Sequence, residues 1–165
     1  MEPPVLLLVQ HALPPRLQAI SQVGQLVNEF VLPSTIDAAV YNDLPCVLRA
    51  FEGFRPYTVG AMNGAAARGR LDILKRLRAE RREGCTSVAF LDAASNGHDG
   101  VLMWLHIYYP RLQRLLPELT AAAKYGHASI VEFVLRFMRP NRSELERLLE
   151  IAAANGHLEV VRFLR

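Results

Sequence analysis

This 165-residue chain has little of what would mark it as secreted, membrane-bound or catalytic. Cys46 and Cys85 are its only cysteines, so no disulfide framework is available and a reducing compartment is expected. Long apolar runs are missing. The first, Val5 to Val9, is five residues long, and no Lys or Arg precedes Arg16. A secretory signal needs a basic start and about 7–15 apolar residues, and a membrane span needs about 20. The expectation is therefore an intracellular protein, cytoplasmic or nuclear, with no membrane partner. Each glycine is isolated, which excludes a Gly-rich phosphate loop. Net charge is only +3, a balance that permits contact with nucleic acid or an acidic partner without demanding it.

What the chain does have is one phrase written five times. The copies are DAAVYNDLPCVLRA (37–50), GAAARGRLDILKRL (64–77), DAASNGHDGVLMWL (92–105), AAAKYGHASIVEFV (121–134) and IAAANGHLEVVRFL (151–164). The pivots Asn42, Gly69, Gly97, Gly126 and Gly156 are 27, 28, 29 and 30 residues apart, a period that marks repeat architectures. The Ala pairs 38/39, 65/66, 93/94, 122/123 and 152/153 favour helix and allow close approach of a neighbour. A pivot four residues after the first Ala suits a left-handed helix end, and Asn42 can stand in for Gly there. Apolar residues at +4, +5 and +8 from the pivot then share one helical face. Examples are Ile73, Leu74 and Leu77, or Val101, Leu102 and Leu105.

Each unit thus reads as helix, tight turn, helix, and the fold class as an all-α solenoid. Five units are expected: a degenerate one at 34–57, then 58–85, 86–116, 117–142 and 143–165. Helix starts follow Pro33, Thr58, Thr86, Pro117 and Ser143, with Gly84, Pro110, Pro117 and Pro140 outside the paired helices. Ser143 and Glu146 have capping-box spacing, and Asp72 with Arg76 has the spacing of a helical ion pair. Residues 1–33 carry a separate stripe, Leu17, Ile20, Val23, Val27 and Phe30, read as a helical segment covering one end of the stack. At the other end Val160, Val161 and Leu164 would face no following unit.

The pattern A-A-x-x-G-H-x-x-[IV]-V, present in AAKYGHASIV and AAANGHLEVV, resembles the ankyrin repeat. The stretch EGCTSVAFLDAASNGH (83–98) is similar to short-period ankyrin arrays expanded in some eukaryotic microbes. The resemblance implies stacked helix–turn–helix units, protein binding as the usual role, and no catalytic activity. The family's Thr-Pro-Leu-His opening is absent from all five units. The period also falls short of about 33, which implies β-hairpin fingers reduced to plain loops.

His98, His127 and His157 follow the pivot in three units. A stack holds equivalent positions one repeat apart, so they read as turn residues bonding backbone between units and not as metal ligands. His11 and His106 have no partner spacing. Cys46, at +4, reads as core, and Cys85 as a partly exposed turn residue. Asp37 and Asp92 belong to different units, and no carboxylate pair suggests acid–base work. No metal, cofactor or catalytic residue is therefore assigned. Trp104, Phe133 and Phe163 share position +7, where packing between outer helices is favoured over base stacking.

Recognition is expected where the repeat leaves residues free to vary, at the two positions before each pivot. Tyr41, Arg68, Asn96, Lys124, Tyr125 and Asn155 are the candidates, at inner-helix ends that line the concave face of ankyrin-like stacks. Tyr and Arg are favoured interface anchors. The expected function is a non-catalytic protein-interaction module or scaffold whose partner the sequence does not name. The alternative is a nucleic-acid-binding solenoid that uses the basic ridge of residues 68–82. That ridge contains Arg68, Arg70, Lys75, Arg76, Arg78, Arg81 and Arg82, with Arg136, Arg139, Arg142 and Arg147 in a later linker.

Overall fold

In a computed structural model, residues 35–51, 53 and 56–165 are described. The segment 1–33 and its stripe, and His11 and Pro33 with it, lie outside them. Among the described residues the fold is all-helical, with ten helices and no strand. They are α1 (Asp37–Tyr41), α2 (Pro45–Phe51), α3 (Val59–Ala67), α4 (Leu71–Glu80), α5 (Ser87–Ser95), α6 (Asp99–Tyr108), α7 (Leu115–Tyr125), α8 (Ala128–Leu135), α9 (Arg142–Ala154) and α10 (Leu158–Leu164).

The odd-numbered helices pack in chain order, α1 on α3, α3 on α5, α5 on α7 and α7 on α9. Each even-numbered helix packs on the helix before it, and α8 also meets α10. The Ala pairs explain the close inner contacts. Ala65, Ala66, Ala93, Ala94, Ala122 and Ala123 are all fully buried, because a side chain of one carbon lets helix backbones approach closely. The outer helices meet this layer through the +4, +5 and +8 positions. Ile73, Leu74 and Leu77, Val101, Leu102 and Leu105, and Ile130, Val131 and Val134 are all buried. Each such side chain contributes about 1.5–3 kcal/mol on leaving water. Val160 and Leu164 of the last unit are buried as well, in a helix that packs on α9 and α8. Only Val161 is half-exposed there.

Four turns place glycine in the left-handed region, at Gly69, Gly97, Gly126 and Gly156. In the first unit that conformation falls on Asp43 (φ 54°), whereas Asn42 stays right-handed at φ −91°. The pivot of this unit is therefore Asp43, one residue later than the Ala-Ala pair suggests. Hydrogen bonding supports the shift: Leu44 N donates to Ala39 O as Arg70 N donates to Ala65 O. The buried pair is Ala39 and Val40, and Ala38 is partly exposed.

Helix starts differ from expectation in two places. Thr58 and Thr86 do cap α3 and α5, accepting from Gly60 N and Val88 N. Pro117, however, lies in the first turn of α7, where its missing N–H has no intrahelical partner to lose. The capping box of α9 is Asn141 with Glu144, so Ser143 and Glu146 lie inside the helix.

Candidate interaction surface

Every turn after the first is fastened to its neighbour by the same three groups. The His127 Nε2–H donates to Ser95 O at 2.9 Å, His157 to Lys124 O at 2.9 Å, and His98 to Ala67 O at 3.1 Å. A carbonyl can only accept, so each ring carries its proton on Nε2. The acceptor is always two residues before the preceding pivot. The same ring fills the space beside that pivot: a Cβ on Gly97 would stand 2.7 Å from the His127 ring, and one on Gly126 2.5 Å from His157. Glycine is thus required twice over, for its positive φ and for the imidazole that lies where a side chain would begin.

The first junction uses different chemistry at the same place. Asp43 occupies the glycine position and Arg70 the histidine position, and Arg70 Nη2 lies 3.2 Å from Asp43 Oδ2. Arg70 also binds Asp72, holding that carboxyl below its usual range, and Arg76 approaches Asp43 at 4.0 Å. The expected Asp72–Arg76 pair is replaced by these contacts. A second ladder joins the first three inner helices. Asp37 accepts from the backbone N–H and hydroxyl of Thr58, while Asn63 accepts from Thr86 N and donates to Thr86 Oγ1.

These fastenings leave the inner-helix ends at the surface, with unequal freedom. Lys124 and Tyr125 are exposed, Tyr125 by 51%, with the ammonium 5.2 Å from its ring centre. Asn96 and Asn155 turn back, donating to Asp92 O and Ile151 O of their own helices. Tyr41 is half-buried on α3, its ring where a Gly64 side chain would stand, and Arg68 covers it at 4.3 Å. Val88 and Leu91 extend the exposed face along α5, two positions that sequence variability around the pivot did not single out.

The basic ridge is partly spent inside the fold. Arg68, Arg78 and Arg81 lie over the rings of Tyr41, Tyr108 and Tyr57, and Arg70 and Arg76 face Asp43. Lys75 and Arg82 are exposed. Trp104 is buried and Phe133 half-buried, as packing predicts, but Phe163 is 49% exposed.

The sequence reading missed one buried polar pair. His106 Nε2 lies 2.7 Å from Glu118 Oε2, and Glu118 Oε1 accepts from Arg114 N at 2.6 Å. Phe90 and Phe133 meet the imidazole edge-on and Phe137 stacks on it, while Nδ1 is buried with no partner. His106 thus has the partner that spacing did not reveal, twelve residues on and in the next inner helix. A signal was present: Glu118 stands eight residues before its pivot, where Ala61, Ala89 and Leu148 line the core.

The cysteines are reversed from expectation. Cys46 is exposed, because the first unit's register is shifted by one, and Cys85 is buried, which pushes its thiol up to about 11. Burial also raises the Tyr109 phenol nearby and the Asp92 carboxyl. Among the described residues no three His, Cys, Asp or Glu side chains converge on one point, and no helix is long and apolar enough to cross a membrane. Comparison of this chain with family models, with curated proteins and with solved structures finds no match.

Proposed function

We propose that this chain is an ankyrin-like helix–turn–helix solenoid acting as a non-catalytic protein-interaction module. It binds its partner through the solvent face of its stacked inner helices, the concave face in arrays of this kind. The observation that carries the reading is the threefold recurrence of the histidine–carbonyl–glycine fastening. It holds successive inner helices in one register and keeps the two residues before each pivot at the surface. Lys124 and Tyr125, with Val88 and Leu91, form the part of that face least committed to contacts within the chain. An exposed Tyr beside a cation and aliphatic side chains has the composition of an interface centre.

The test is capture from a lysate of the source cells followed by identification of what is retained. Lys124→Ala, Tyr125→Ala and Leu91→Ser in one chain should leave the helical circular dichroism intact and abolish capture. Undiminished capture by the triple variant rules this face out. The nucleic-acid reading has less support, since five of the ridge cations face rings or carboxylates within the chain. Tight binding of an oligonucleotide at low salt, falling steeply as salt rises, would restore it.

A further inference from the structure

The loops joining one unit to the next form a second surface with its own chemistry. They lie at the opposite end of the helices from the turns just described, because each unit is a helical hairpin and the inner helices stack in register. Neighbouring loops touch. Tyr57 of the first loop lies under Arg81 of the second, and a Cβ on Gly84 of the second would stand 3.8 Å from the Tyr109 ring of the third. Phe137 of the fourth loop stacks on His106, at the end of α6 where the third loop begins.

Charge is concentrated on this edge. The three loops 81–86, 109–114 and 136–141 hold Arg81, Arg82, Arg111, Arg114, Arg136 and Arg139 against one carboxylate, Glu83. The excess of five exceeds the net +3 of the whole chain, so the remaining residues together carry a net charge of −2. Arg136 is bound to Glu132 and Arg81 lies over Tyr57. Arg111, Arg114 and Arg139 are exposed, and among the described residues no carboxylate pairs with their guanidinium groups. Exposed apolar side chains stand in these loops or at the helix end leading into them: Ile107 at 71%, Phe137 at 59% and Tyr108 at 45%.

We propose that this loop edge, around Arg111, Arg114, Arg139 and Ile107, docks an acidic protein segment whose Asp and Glu residues are interspersed with leucine or phenylalanine. Arginines depleted of partners give the edge a positive potential that steers and orients an acidic chain. Ile107 and Phe137 supply the apolar contact that such a segment buries. A phosphate backbone would satisfy the arginines equally well. It has nothing to bury against Ile107, the most exposed of the three, whose aliphatic side chain offers no flat face for a base, and Phe137 and Tyr108 already give a ring face to His106 and Arg78. The apolar residues therefore decide for a peptide over a nucleic acid. This edge is separate from the Lys124–Tyr125 face, and the proposal stands or falls independently of it.

The experiment is fluorescence anisotropy with the full chain and a panel of labelled synthetic peptides, in which leucine or phenylalanine recurs among glutamates and aspartates. Lysine-for-acid versions and a single-stranded oligonucleotide are the comparison probes. Acidic apolar peptides should bind and their lysine versions should not. Arg111→Glu with Arg139→Glu should weaken binding by about tenfold or more. Ile107→Ser should weaken it severalfold, with the thermal transition of both variants unchanged. Lys124→Ala with Tyr125→Ala should have no effect on this binding. The proposal is overturned if no peptide of the panel binds, if Ile107→Ser binds like the parent, or if the oligonucleotide binds more tightly than every peptide.

Discussion

A methyl group added to a pivot glycine gives a quantitative test of the fastening between units, because two of these glycines differ in one respect only. Gly97 and Gly156 share a left-handed φ, +74° and +78°. A Cβ on Gly97 would collide with the His127 ring at 2.7 Å, whereas a Cβ on Gly156 meets nothing within 4 Å. An L-residue in that conformation costs about 1–2 kcal/mol, and the stiffer unfolded chain returns about 0.4–1 kcal/mol. Gly156→Ala should therefore destabilise by about 1 kcal/mol. Gly97→Ala carries the same strain and in addition drives the imidazole off Ser95 O, removing a hydrogen bond and stranding its partners. Its total should be about 2–3 kcal/mol. His127→Ala alone should cost about 1–2 kcal/mol. In the double variant the ring is gone and the collision with it, so the loss should fall short of the sum by about 1 kcal/mol or more. Urea unfolding of the parent and the four variants, with slopes compared to confirm like transitions, measures this. Equal costs at Gly97 and Gly156, or strict additivity of Gly97→Ala and His127→Ala, would refute the reasoning.

Three further outcomes follow from the buried groups and caps. Glu118→Ala strands the buried His106 and should cost about 3–5 kcal/mol, while His106→Leu combined with Glu118→Leu should recover much of it; thermal and urea unfolding of the three chains decide. Cys85 titrates higher in the folded chain than its ordinary 9.0. The stability it contributes is thus fully present below pH 9 and is lost as pH rises through about 11. Cys85→Ala should flatten that alkaline decline, and at neutral pH a thiol reagent should label exposed Cys46 alone until the chain unfolds. Asn141→Ala removes the side-chain arm of the α9 capping box, the acceptor of Glu144 N, and leaves its own backbone N–H to Glu144; it should cost about 1 kcal/mol, whereas Ser143→Ala should cost far less.

How much of this was legible in the sequence depended on whether the cause was local. The helix–turn–helix period, the +4, +5 and +8 core positions and the left-handed glycines follow from neighbours on one helix, and they appear in the fold from the second unit on, with Val161 half-exposed. The inter-unit role of the three histidines was legible because they recur at one place in the repeat. What failed was set by distant partners. The first unit's pivot moves to Asp43, where Arg70 of the next unit meets it, and that one-residue slip turns Cys46 outward. Asp72 pairs with Arg70, which also reaches Asp43 of the first unit, while Arg76 approaches the same Asp43 at 4.0 Å. The His106–Glu118 pair joins an outer helix to the following inner helix, a contact that no helical spacing rule reaches. Of the proposed recognition residues, Asn96 and Asn155 bond their own helices and Tyr41 packs under Arg68. Side-chain direction, which pattern alone does not give, separates these from Lys124 and Tyr125.

The protonation of three imidazoles tests the stacked-unit account most directly. Long-range nitrogen–proton NMR correlation on the intact chain distinguishes the Nε2–H from the Nδ1–H form of each ring. The account predicts that His98, His127 and His157 all hold the proton on Nε2, with slow exchange and a shared pattern of shifts, because each donates to a carbonyl of the unit before it. Averaged tautomers with free-imidazole shifts at all three would contradict it.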